Sequence, residues 1–240
     1  MQDRSAAGGG GRELVRPSDW RARIESRLAN TRPRHAREDW LAPGVSPQES
    51  RELSAYFPAE PFPAAVLIPI VEREDELTVL LTQRASQLKN HAGQISFPGG
   101  RIDPQDAGPR EAALREAHEE VGLEPRFVSV VGYLTDHVLL SGFRVTPVVG
   151  FVRAGFELLL DPAEVADTFE VPLSHVFEPA NHRSQRRLFG ASAGEARVWD
   201  IQYEGHNIWG ATAGMLLNLY QLCVTDDPAI IRDLAGLRDE

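Results

Sequence analysis

Over the first 60 residues apolar and polar positions show little sustained periodicity, and Arg, Pro, Ser and Gly are common. One helix is predicted there, over residues 20–28, with Ser18 placed to cap it. The texture changes at Ala64. Residues 64–71 and 77–83 are apolar runs around a short charged turn, the pattern of two paired strands. Pro69 has no amide hydrogen, so the first strand is expected at a sheet edge or with a bulge. A glycine-rich connection over residues 92–100 then leads to a helix that begins at Pro109 or Arg110 and stops at Gly122. Further strands are expected over residues 127–134, 144–152, 168–173 and 197–203, and an apolar helix over 209–223. Strands on both sides of a central helix, with another helix at the end, imply an α+β fold with a mixed sheet.

The chain has 240 residues, which suits one domain with extensions. We expect an N-terminal arm over 1–60, disordered to about residue 17, a domain over 61–225, and a C-terminal tail over 226–240. Charged residues make up 25%, an ordinary share that excludes wholesale disorder and fibrous architecture. The net charge of −10 argues against holding nucleic acid or an anionic membrane by bulk electrostatics, so neither partner is expected. An anionic ligand would need a local source of attraction. Cys223 is the only cysteine, which excludes an intrachain disulfide and points to a reducing compartment. With no signal-peptide core and no apolar run of membrane-spanning length, the cytoplasm is the expected location.

Chemistry concentrates in Arg115-Glu116-Ala117-His118-Glu119-Glu120-Val121-Gly122-Leu123. At about 100° per residue, Glu116, Glu119 and Glu120 share one arc of the helix, while Leu114, Ala117 and Val121 fall on the other side. Like charges three and four residues apart repel, and a divalent cation would reverse that repulsion. Mg²⁺ accepts one or two carboxylates, waters and phosphate oxygens, a set this face could offer. A solvated acidic face is the plainer reading. Two features weigh against it: Arg115 can fix Glu119 one turn away, and Phe97-Pro98-Gly99-Gly100 can bring backbone groups close to the same face.

These residues resemble the Nudix hydrolases, whose box reads GX5EX7REUXEEXGU, U being aliphatic. Residues 115–123 match its second half and Gly100 its opening glycine. The first half departs: one extra residue separates Gly100 from Arg115, and Asp106 stands where the box has glutamate, leaving Asp106 or Glu111 to partner Arg115. Upstream, residues 80–100 are similar to the LLTxRxxxLxxHxGQxxFPGG signature of coenzyme A pyrophosphatases, with Lys89, the single lysine of the chain, where arginine is commoner. The resemblance implies a Nudix fold, a mixed β-sheet sandwiched between helices (α/β/α). It also implies metal-dependent hydrolysis of coenzyme A or acyl-CoA to adenosine 3′,5′-bisphosphate and 4′-phosphopantetheine, with Mg²⁺ or Mn²⁺. Other nucleoside diphosphate derivatives (ADP-ribose, NADH, a nucleoside triphosphate) are the alternative, and a non-catalytic nucleotide sensor is a third reading.

Carried onto matching positions, Glu116 and Glu120 are the primary metal ligands, Glu119 is a further ligand or the base, and the Gly100 backbone carbonyl completes the shell. Arg115 joins Glu116 and Glu119 in the catalytic set. Arg84, Lys89 and His91 would present positive charge to the substrate phosphates, including the 3′-phosphate, and Gln94 would order that loop or touch ligand. Each has a plain counterpart: a strand-end cation for Arg84, a turn residue for His91. Glu164 is either a late acid supplied by a loop or a solvated helix-start residue. His118 is expected to be packed or bonded, and Trp199, Tyr203 and Trp209 are expected to be core residues rather than an adenine platform. A homodimer is left open.

Overall fold

A computed structural model describes residues 19–33, 40–42, 46–88, 91–139, 141–188 and 195–235. The expected disordered segment to residue 17 and the Ser18 cap lie outside the described residues. Two helices precede the sheet, α1 (Trp20–Leu28) and α2 (Pro47–Leu53). The strands are β1 (Phe62–Glu72), β2 (Leu77–Arg84), β3 (Ile95–Ser96), β4 (Gly99–Arg101), β5 (Val128–Tyr133), β6 (His137–Val138), β7 (Phe143–Val152), β8 (Val165–Pro172), β9 (His182–Leu188), β10 (Glu195–Tyr203) and β11 (His206–Trp209). Helix α3 (Pro109–Val121) follows β4, the short α4 (Leu173–Val176) follows β8, and α5 (Gly210–Val224) and α6 (Pro228–Ala235) end the described chain.

The main sheet runs β3-β2-β1-β7-β5, with β4 added to β1, β6 to β7 and β8 to β2; β11-β10-β9 form a second sheet. β1 lies parallel to β7 and antiparallel to β2 and β4, so the sheet is mixed. Because both faces of β1 are covered, it reads as a near-continuous apolar run. Ala65, Leu67 and Val71 turn to one face, where Ala112, Ala113, Ala117 and Val121 of α3 close the layer. Ala64, Ile68 and Ile70 turn to the other, against Ile24 and Leu28 of α1 and Leu216 and Leu219 of α5. This is the expected sandwich of a mixed sheet between helices. Among the described residues no helix is long and apolar enough to cross a membrane.

Pro69 corrects the expectation of an edge strand or a bulge: β1 is central, and Pro69 stands opposite Gly150 of β7. On its other side β4 pairs over residues 64–66 and β2 over 70–72, and the Leu67 amide reaches the Pro98 carbonyl at 2.9 Å. Alternation turns the position of the missing Pro69 donor to that same side, into the changeover between two partners, where no ladder bond is required. Helix α2 was signalled by Ser46 and Glu49, which form a reciprocal capping box, but the segment has too little apolar periodicity to stand out. Within residues 226–240, α6 is helical and buries Leu234 and Ala235.

Gly122 ends α3 in the left-handed region, φ 73°, and its N–H reaches the Ala117 and His118 carbonyls. A Cβ there would lie 2.7 Å from the Leu159 amide nitrogen. Gly122→Ala is therefore expected to lower the unfolding free energy by more than about 1 kcal/mol. Urea unfolding at fixed pH measures it, and an unchanged midpoint would contradict the packing described.

Candidate active site

Three alanines on the buried face of α3 let the helix lie close to β1 and β4. Gly100 of β4 then sits directly beneath Glu116: a Cβ on Gly100 would be 2.5 Å from the Glu116 carboxyl carbon and 2.6 Å from each of its oxygens. One residue earlier, the Gly99 amide donates to Glu120 Oε2 at 3.1 Å. Gly99 also has no room for a side chain, since a Cβ would be 2.4 Å from the Ala65 carbonyl oxygen. The two glycines thus serve close approach, and the strand and the two carboxylates form one compact unit.

The three glutamates separate by environment. Glu120 is 3% exposed and Glu116 half-buried, whereas the Glu119 side chain is 57% exposed. Burial pushes the Glu120 carboxyl up to about 7; the Gly99 amide and the Arg84 charge oppose the rise, while Glu164 and Glu116 add to it. Burial also raises Glu116, opposed by Arg115 and reinforced by Glu119 and Glu164. His118, expected to be packed or bonded, is instead exposed on the outer side of α3.

Arg115 organises the entrance to the helix. Its Nε and Nη2 donate to the two Asp106 oxygens at 3.1 and 2.8 Å, Nη2 also to the Arg101 carbonyl at 3.1 Å. Nη1 donates to Glu116 and to Glu119, both at 2.9 Å. Asp106, rather than the exposed Glu111, is therefore the partner of Arg115. The Arg115 hydrogen bonds hold its carboxyl below the ordinary carboxylate range. The extra residue before Arg115 is absorbed in the loop between β4 and α3.

Of the upstream residues, Arg84 reaches the α3 carboxylates. Arg84 ends β2, where the register against β8 shifts between Gln83 and Arg84, a bulge of the kind that re-aims a side chain. Its Nη1 lies 3.9 Å from Glu120 Oε1. The Arg84 amide donates to the Gln94 carbonyl and its carbonyl accepts from Gly93, which joins the two ends of the loop between β2 and β3. His91 is exposed on that loop at φ 58°, with Nδ1 at 2.9 Å from Gln94 Oε1. If that oxygen accepts, Nδ1 carries the proton and Gln94 orders the loop through His91. Lys89 lies outside the described residues.

Glu164 reaches the site from the chain between β7 and β8. The Asp161 amide donates to the Glu120 carbonyl at 2.9 Å, the Glu164 amide to the Asp161 carbonyl, and the Glu164 carbonyl accepts from Ala85 at 2.8 Å. Its position beside α3 depends on contacts distant in sequence, so spacing alone left its role open. Trp199 and Tyr203 pack on the main core, in line with the structural role expected of them.

Residues 61–191 match the NUDIX domain family, more than half of the chain. The chain belongs to the Nudix family. Among curated relatives, the uncharacterized Nudix hydrolase NudL of Enterobacter sp. (strain 638) is 43% identical over 159 residues, spanning 65% of this chain and 80% of the relative. That of Citrobacter koseri is 43% identical over 157 residues with the same coverage. Among solved structures, the M. smegmatis Nudix hydrolase RenU is 24% identical, with a TM-score of 0.42 over 48% of this chain and 73% of its own. The C. elegans Ap4A hydrolase is 19% identical, with a TM-score of 0.41 over 46% and 80%.

As a Nudix hydrolase the protein cleaves the pyrophosphate bond of a nucleoside diphosphate derivative, and such enzymes generally use divalent cations such as Mg²⁺ or Mn²⁺. Among the described residues no three His, Cys, Asp or Glu side chains converge tightly enough to hold a metal by themselves. The crowded pair Glu116 and Glu120 nevertheless fits an ion that takes two carboxylates and completes its shell with water and phosphate oxygens. Glu119, turned to Arg115, stands outside that pair.

Two outcomes follow from this electrostatic arrangement. The raised Glu120 carboxyl means that the metal-free fold binds this proton more tightly than the unfolded chain. Its contribution to stability is complete below about pH 4.5, the ordinary value, and is lost as pH rises to about 7. In chelator, Glu120→Gln should gain stability relative to the parent between pH 5 and pH 8; parallel denaturation profiles would contradict the burial of this charge. Asp106→Ala should lose about 1–3 kcal/mol by leaving Arg115 under-paired, while Glu111→Gln should change stability by less than about 0.5 kcal/mol. Equal losses in urea unfolding would refute the assignment of the partner.

Proposed function

We propose that this Nudix hydrolase cleaves coenzyme A and acyl-CoA at the pyrophosphate, releasing adenosine 3′,5′-bisphosphate and 4′-phosphopantetheine. The observation that carries the reading is the similarity of residues 80–100 to the coenzyme A pyrophosphatase signature, supported by the placement of its Arg84 against the α3 carboxylates. Glu116 and Glu120, with the Gly100 carbonyl, would hold Mg²⁺ or Mn²⁺. When bound, the ion neutralises pyrophosphate oxygens and lowers the pKa of a water. Arg115 fixes Glu116 and keeps Glu119 at the rim, as an outer ligand or the base. Glu164, anchored between the end of α3 and Ala85, is a second carboxylate able to take the proton of the attacking water. Arg84, Lys89 and His91 would present positive charge to the substrate phosphates, and Gln94 orders the loop through His91.

A substrate panel with Mg²⁺ and Mn²⁺ tests this. Coenzyme A should be converted to adenosine 3′,5′-bisphosphate faster than ADP-ribose, NADH or ATP are cleaved, and preference for dephospho-coenzyme A would count against recognition of the 3′-phosphate. Loss of a primary ligand in Glu120→Gln should lower kcat by about 100-fold or more, and unchanged turnover would sink the assigned mechanism. Chelation should sharply weaken coenzyme A binding, because the site without metal presents carboxylates to an anion.

A further inference from the structure

We propose that Arg84 exchanges partners during the catalytic cycle. It partly offsets the charge of Glu120 in the metal-free protein, then turns its guanidinium to the oxygens of the pyrophosphate when a divalent cation meets that charge instead. The inference rests on the reading of the site as a metal-dependent pyrophosphatase and is independent of the choice of coenzyme A.

Arg84 Nη1 stands 3.9 Å from Glu120 Oε1. That is beyond an ordinary N–H···O bond, which spans about 2.7–3.2 Å. Arg84 therefore supplies charge to Glu120 without occupying the oxygen that a cation would need. Among the described residues its buried Nε meets no hydrogen-bond partner, although the side chain as a whole is 27% exposed. A buried donor without an acceptor is unfavourable, and an acceptor arriving from the open side would relieve it. Nε and one Nη present two parallel N–H groups, the edge that matches two oxygens of one phosphoryl group.

Arg115 cannot play this part, because its guanidinium is already engaged with Asp106, Glu116, Glu119 and the Arg101 carbonyl. The movement required of Arg84 is confined to the side chain. Its backbone is held by the bonds to Gln94 and Gly93, and the facing carboxylate is held by the Gly99 amide. With the charge of Glu120 met by a bound cation, Arg84 would be free to turn to the anion, so cation and pyrophosphate would bind synergistically.

Calorimetry on the full chain tests both halves of the exchange, with Mn²⁺ alone and with imidodiphosphate, a pyrophosphate analogue, in the presence and absence of Mn²⁺. Arg84→Gln removes the competing charge, so its Mn²⁺ affinity should rise about tenfold, within the usual range of coupling between sites. Arg84→Lys keeps the charge but loses the planar fork; it should bind Mn²⁺ like the parent and hold imidodiphosphate with Mn²⁺ about tenfold more weakly, the worth of one site-to-site coupling. Mn²⁺ affinity of Arg84→Gln at or below that of the parent overturns the proposal. So does parental imidodiphosphate binding in both variants, or a parent that binds the analogue no better with Mn²⁺ than without it. These readouts involve no coenzyme A: a protein that passes them while preferring another nucleotide refutes only the substrate, and one that fails them while cleaving coenzyme A refutes only the exchange.

Discussion

The close approach of α3 to the Gly99–Gly100 backbone is the constraint on which the rest of the site depends. It is set by side-chain size on both surfaces. Ala112, Ala113 and Ala117 make the buried face of the helix thin, and glycines leave β4 without the Cβ atoms that would push the carboxylates away. With that spacing fixed, Glu116 lies over Gly100, Glu120 receives the Gly99 amide, and the end of α3 meets the chain that carries Glu164. An extra methyl group at Gly100 would displace the Glu116 carboxylate, and one at Gly99 would meet the Ala65 carbonyl and disturb packing.

The same closeness creates an electrostatic imbalance. Among the described residues, buried Glu120 has one amide and one distant guanidinium for compensation, and two further carboxylates raise its proton affinity. A divalent cation answers such an arrangement better than any rearrangement of the protein, since it brings two positive charges to oxygens that are already positioned. Net charge of −10 therefore does not prevent this protein from working on an anionic substrate. On the function proposed above, the attraction is local, supplied by metal and Arg84, within a surface that is repulsive at long range.

Much of this was legible in the sequence for identifiable reasons. Helix α3 has a proline at its start and a glycine at its stop, and both strands of the first hairpin are buried runs bounded by charged residues. The box residues Arg115, Glu116, Glu119 and Glu120 sit at spacings that a helix turns into one face. The polar strand β9, the two-residue strands β3 and β6 and the helix α6 were not legible. Such segments are held by partners elsewhere in the chain rather than by a periodic pattern of their own.

The sequence by itself determined the order of the longer elements, the apolar side of α3, and the family to which its motifs are similar, because these depend on residue type and local spacing. Only the tertiary structure decided that Asp106 rather than Glu111 pairs with Arg115, and that Pro69 sits in a central strand at a changeover of partners. It also separated the three glutamates into a buried, a half-buried and an exposed carboxylate, and brought Arg84 and Glu164 to them. The physical reason is common to all of these. Burial, charge neighbours and unpaired donors are properties of what surrounds a side chain, and here the surroundings come from β2, β4, α3 and the segment before β8, which are separated in sequence and joined only by packing.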